Sequence, residues 1–116
     1  MEYARENRRY ARLNFFCELL VTLMPNGKPM PASSIDLSVG GVGLYANYSL
    51  DREQLVQIDF HLRDEKHREV VESVLGKVAY ARSDEDGTRI GVEFLKIIQE
   101  ADCPALAKRL QELVSE

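Results

Sequence analysis

The chain has 116 residues, 45% of them apolar and 29% charged, with seven glycines and four prolines. That is the composition of one ordinary globular domain, and it excludes collagen, coiled coil and wholesale disorder. Lys plus Arg is 15 and Asp plus Glu is 19, a net charge of −4, which argues against a fold-wide basic surface for duplex nucleic acid.

The first twelve residues, MEYARENRRYAR, are followed by no apolar signal-peptide core, so no secretory signal is read there and a cytoplasmic protein with reduced thiols is expected. Four arginines (Arg5, Arg8, Arg9 and Arg12) against Glu2 and Glu6 give this arm +2, leaving −6 for the body. A cationic arm ahead of an acidic body suggests that the arm meets an anion. The run Leu13–Met24 is interrupted by Asn14, Glu18 and Thr22 and is too short to insert in a membrane.

From Leu13 the pattern has period two: Leu13, Phe15, Cys17, Leu19, Val21 and Leu23 would share one face of a strand. Pro25-Asn26-Gly27-Lys28-Pro29 reads as a turn, because Asn-Gly tolerates positive φ. Residues 31–37 read as the returning strand, and 42–46 as another after a glycine cluster. Val56, Ile58, Phe60 and Leu62 alternate with Gln57, Asp59 and His61, the clearest half-buried strand of the chain. Charged residues 64–69 make a hairpin connection. A long strand follows over 70–82, with Gly76 as a bulge or bend. Asp84-Glu85-Asp86-Gly87 turns into a last strand over 88–95. The period then changes, and Leu106, Leu110, Leu113 and Val114 form one helical stripe, with Asp102 as N-cap and Pro104 in the first turn. The fold class expected is mainly β: a small six-stranded antiparallel barrel over 13–116, with a C-terminal helix over about 102–115 and a flexible basic arm over 1–12.

Catalytic and metal chemistry find little support. His61 lies on the polar side of its strand and His67 in a charged turn, and no nucleophile or paired carboxylate stands beside either in sequence, so solvated or structural histidines are the plain reading. Cys17 and Cys103 are 86 residues apart, neither a disulfide framework nor a metal motif. The acidic turn 84–87 lacks the further ligands of a calcium loop.

The glycine cluster Asp36-Leu37-Ser38-Val39-Gly40-Gly41-Val42-Gly43 is open to two readings. It can be a barrel corner, which glycine suits. It can also be a ligand site, since it offers a carboxylate, a hydroxyl and bare backbone amides within a few residues. A carboxylate accepts from two adjacent donors at once, such as guanine N1–H and N2–H₂. It has neither Rossmann spacing nor a Walker lysine. The arm can equally be a frayed terminus, or a clamp in which Arg8 and Arg12, or Arg5 and Arg9, project to one side.

Taken together, Arg8-x-x-x-Arg12, 23 intervening residues and Asp36-x-Ser38-x-x-Gly41 resemble the PilZ domain family, with its RxxxR and D/NxSxxG motifs. The strands around Gly76-Lys77-Val78 and Arg89-Ile90-Gly91-Val92-Glu93-Phe94 are similar to later strands of that family. RxxxR alone is common; the two motifs in order and at this distance are specific. The resemblance implies a six-stranded barrel with a helix that binds the bacterial second messenger cyclic di-GMP. It implies that Arg8 and Arg12 contact phosphates and guanine edges, and that Asp36, Ser38 and Gly41 hold a guanine. Arg9 and Gly40 are secondary candidates. Asn7 stands just before the motif, where the family influences whether one or two ligand molecules bind.

The function expected is therefore a non-enzymatic cyclic di-GMP receptor without a cofactor. It would signal to a downstream protein partner by ordering its arm, as a monomer or dimer, without binding DNA or RNA and without inserting in a membrane. The alternative is a PilZ-like protein-interaction module that does not bind nucleotide. A small barrel for single-stranded RNA would need stacking aromatics among basic residues, and residues 13–95 are net acidic without tryptophan.

Overall fold

The computed structural model describes residues 11–115, and the backbone alone at Ser115. Seven strands follow in order: β1 (Leu13–Asn14), β2 (Glu18–Leu23), β3 (Met30–Ser38), β4 (Gly41–Ala46), β5 (Leu55–Arg63), β6 (Glu69–Asp84) and β7 (Gly87–Phe94). A helix, α1 (Pro104–Ser115), closes the chain. Every pairing is antiparallel, in the order β1-β3-β2-β5-β6-β7-β4, and β4 returns to pair with β3. Strands β2 to β7 thus form a closed six-stranded barrel, as the alternation implied, and β1 is a two-residue strand on the β2 side of β3, beyond the end of the β2 ladder. Closure leaves those six strands no free edge.

The inward positions supply the core. Val56, Ile58, Phe60 and Leu62 of β5, Leu19 and Val21 of β2, Val42 and Leu44 of β4, and Ile90, Val92 and Phe94 of β7 are all buried. The rings of Phe60 and Phe94 meet edge to face, with centroids 6.3 Å apart. Leu106 and Leu110 of α1 are buried in the same core.

Four local expectations are corrected. The run from Leu13 to Leu23 is two strands, because the chain leaves the ladder at 15–17. Ser34 Oγ fills the gap, donating to Phe15 O at 2.6 Å and accepting from Cys17 N–H at 2.8 Å. The period survives the break, since Phe15, Leu19 and Val21 are buried and Leu13, Cys17 and Leu23 half-buried. The 24–26 turn uses positive φ at neither Asn26 nor Gly27. Gly27 is instead needed for close approach: a Cβ there would stand 2.6 Å from Leu23 O.

Gly76 is not a bulge; it pairs in register with Val56 and Phe94. The register of β6 shifts between Val78 and Tyr80, which makes Ala79 the extra residue. Gly76 is there because a Cβ would lie 2.5 Å from Val92 Cγ1.

Finally, α1 begins at Pro104 rather than 102, and Asp102 does not cap it; its carboxylate pairs with Lys96 at 3.0 Å. The cap comes from β6: the two Glu72 carboxylate oxygens accept from Ala105 and Leu106 N–H, each at 2.8 Å. These are free first-turn donors, and a carboxylate there also favours the helix dipole. Val114 leaves the buried stripe and is 71% exposed. Eight residues after Leu106 it has drifted about 80° around the helix, at roughly 100° per residue.

Candidate functional site

The glycine-rich cluster forms the β3–β4 hairpin. Ser38 pairs with Gly41, so Val39 and Gly40 are the two loop residues. Ser38 Oγ accepts from Gly40 N–H at 3.1 Å and donates to Gly41 O at 3.5 Å. In this state its hydroxyl closes the turn. Gly40 O and Val39 O in turn accept from Phe94 and Ile98 N–H, at 2.9 and 2.8 Å, which ties the hairpin to the end of β7.

One residue before this hairpin regularises, β3 carries a register shift between Ser34 and Asp36, with Ile35 as the extra residue. The shift sends Asp36 to the outer face opposite Gly43. There its carboxylate is almost enclosed, with a side-chain exposure of 13%. Oδ1 accepts from Gly43 N–H at 3.1 Å and from Arg12 Nη1 at 2.9 Å. Oδ2 stands 3.9 Å from Arg89 Nη2. Arg12 itself is only 19% exposed in its side chain. β1 holds the chain beside it, pairing Asn14 with Asp36 and Leu13 with Leu37.

The structure therefore brings together Arg12, Asp36, Ser38, Gly40 and Gly41 at one corner of the barrel. Arg12 was expected to share a loose arm; its side chain is instead tied to the barrel through Asp36. Arg8 and Arg9, like Arg5 and Asn7, lie outside the described residues.

Three further residues face this corner. Directly opposed residues in antiparallel strands share a face, so Asp36, Gly43, Gly91 and Tyr80 form one row across β3, β4, β7 and β6. The Tyr80 ring lies over Gly91, where a Cβ would be 2.2 Å from Tyr80 Cε2. The neighbouring row holds Tyr45, Arg89 and Arg82. Arg89 and Arg82 are directly opposed like charges, an unfavourable arrangement that an anion would relieve. Sequence reasoning missed all three. The alternation of β6 and β7 could have put Arg82 and Arg89 outside, but only the register makes them neighbours of each other and brings Arg89 to Asp36.

Beyond this row, along β6 and β7, lies the hairpin that joins them. Asp84 accepts from Asp86 and Gly87 N–H and from the Tyr45 hydroxyl, and these bonds hold its carboxyl below the usual range. Partial burial, then the bond to Asp84, pushes the Tyr45 phenol up. Burial also raises both thiols, Cys17 and Cys103, so neither is an activated nucleophile. Among the described residues, no three His, Cys, Asp or Glu stand close enough to hold a metal ion.

Residues 6–116 match the PilZ domain. The chain belongs to the PilZ domain family. Among solved structures, it is similar to the inhibitor of motility MotI/DgrA of Bacillus subtilis, with 13% identity, TM-score 0.73, and coverage of 95% of this chain and 53% of that one. It is similar to the PilZ domain with c-di-GMP of YcgR from Escherichia coli, with 16% identity, TM-score 0.69, and coverage of 94% and 92%. The K. pneumonia MrkH–c-di-GMP complex has 20% identity, TM-score 0.68, and coverage of 95% and 52%. This chain thus spans about half the length of MotI/DgrA and MrkH. No curated protein matches it. Among its described residues, no helix is long and apolar enough to cross a membrane.

Proposed function

We propose that this PilZ domain is a non-enzymatic receptor for cyclic di-GMP. The observation that carries the reading is the meeting of both motifs at one place: Arg12 of RxxxR on Asp36 of DxSxxG, at 2.9 Å, beside a glycine-bare strip and two opposed arginines. The ligand is a dianion carrying two flat guanines. Guanidiniums match its phosphates and guanine acceptors, the Asp36 carboxylate matches guanine N–H donors, and bare backbone lets a planar base approach closely. The YcgR and MrkH structures, both named as containing c-di-GMP, support the same ligand.

In this reading Arg8 and Arg12, with Arg9 in support, close over the ligand, while Asp36, Ser38, Gly40 and Gly41 hold one guanine. No bond is made or broken. The arm ahead of Arg12 becomes ordered around the ligand, and the composite surface so formed is what a downstream protein partner reads, in the cytoplasm. Because that partner favours the ordered state, its affinity and the ligand's rise together.

Calorimetry of the chain with cyclic di-GMP, GTP and cyclic GMP in parallel tests the reading. Selective heat with cyclic di-GMP is expected. Silence at high micromolar ligand would replace the reading with the protein-only interaction module. Hydrogen exchange then tests the switch: added ligand should protect residues 5–12 and 36–43 far more than 55–63.

A further inference from the structure

Gly43 lies outside both motifs, yet it sits at the centre of the corner. Its backbone is ordinary strand, without a positive φ, and it pairs in register with Asp36 on one side and Gly91 on the other. No turn or left-handed conformation calls for glycine there. In a strand interior glycine is a poor choice, because it adds chain entropy to be lost and packs no side chain.

The reason for it lies in what a side chain would meet. A Cβ on residue 43 would stand 2.7 Å from Asp36 Oδ1, 3.3 Å from Asp36 Cγ and 3.4 Å from Arg12 Nη1. The nearby glycines answer to other neighbours. A Cβ at Gly41 would meet the carbonyl oxygen of Val92 at 2.5 Å, and one at Gly91 would meet the Tyr80 ring. Among the described glycines of this corner, Gly43 alone is bare on account of the Arg12–Asp36 pair. It also gives that pair a fixed donor, its N–H at 3.1 Å from Asp36 Oδ1.

We infer that Gly43 is a positioning residue of the ligand site, the seat that holds the Asp36 carboxylate in one orientation. Oδ1 is filled by two donors, Gly43 N–H and Arg12 Nη1. Among the described residues, Oδ2 is approached by Arg89, at a distance too long for a hydrogen bond. The carboxylate therefore presents one oxygen as the acceptor for an incoming N–H. The other oxygen becomes available only when Arg12 moves to the ligand. A methyl group at position 43 would push the carboxylate off its seat and disturb both arrangements, without touching the core.

The inference rests on the receptor reading above for its ligand, and its test separates the two. In the full chain, Gly43→Ala should weaken cyclic di-GMP binding at least tenfold while the thermal midpoint stays within a few degrees. Because Gly43 acts through Asp36, the same substitution in an Asp36→Ala background should change affinity less than twofold. Additive losses in that cycle, or wild-type affinity in Gly43→Ala, would overturn the inference. A ligand-free readout stands beside these. The Gly43 amide proton should resonate downfield, as a donor to a carboxylate, and should lose that shift in Asp36→Ala. A wild-type chain silent to cyclic di-GMP, with the amide still reporting Asp36, would remove the receptor reading and leave the seat intact. An amide blind to Asp36 would remove the seat whatever the ligand does.

Discussion

On β5, Val56, Ile58, Phe60 and Leu62 alternate with outward Gln57, Asp59 and His61, and the ladders to β2 and β6 run without a register shift. On β3 the alternation fails at Ile35, the next residues form a two-residue hairpin, and the outward positions of β4 are Gly41, Gly43 and Tyr45. The first wall is built for burial, since its inward face is apolar at every step. The second gives up regular pairing and side-chain packing to place a carboxylate between guanidiniums. Strand rules explain the first wall completely. The second is legible only when each departure from those rules is asked what it positions.

That contrast can be broken in both directions. The largest effect should come from the regular wall. Phe60→Ala removes a fully buried ring that meets Phe94, and should cost about 3–5 kcal/mol of stability by chemical denaturation. A loss under about 1 kcal/mol would mean that this wall is not the stabilising one.

Next comes the irregular corner. Arg12→Ala should weaken cyclic di-GMP binding by about 1.5–3 kcal/mol, the range for a hydrogen bond to a charged group. It should also cost about 1–3 kcal/mol of stability, because the largely enclosed Asp36 carboxylate loses one of its two donors. The same comparison sharpens the arm: Arg8→Ala should weaken binding in titration calorimetry and Arg5→Ala should not, and the reverse result would move the motif by three residues.

Smaller again is the helix cap. Glu72→Ala frees two first-turn N–H groups of α1 and should cost about 1–2 kcal/mol. Amide exchange should quicken at residues 105 and 106 while the barrel amides stay protected; an unaltered melting curve would assign the cap to solvent.

The smallest effect is one of pH. Asp84 is depressed in the folded state, first by the Asp86 N–H. Its contribution is therefore present above the ordinary carboxyl value of 3.8 and is lost as pH falls through the lower folded value. The β6–β7 hairpin should loosen only in acid below that value. The Gly87 and Asp86 amide shifts should move together there. Movement near neutrality would point to another group.

The sequence by itself determined the closed barrel, the C-terminal helix and the family. Period-two patterning, turn residues and a change to period 3.6 are local signals that survive small interruptions. The alternation from Leu13 to Leu23 kept its buried face across the break at 15–17. It also named Arg8, Arg12, Asp36, Ser38 and Gly41 as candidates, because two ordered motifs can be read without coordinates, and the fold brings the last four to one corner. Register and capping were decided only by the tertiary structure. A bulge moves by three residues, from Gly76 to Ala79, when the constraint is packing against Val92 on the next strand. Glu72 caps a helix 33 residues away, and Arg82, Arg89 and Tyr80 reach the corner through pairings that no local pattern encodes. Gly43 looked like one more flexible glycine in a cluster. Its purpose appears only when strand pairing brings Asp36 to its side, since the space a missing side chain leaves belongs to whatever stands opposite.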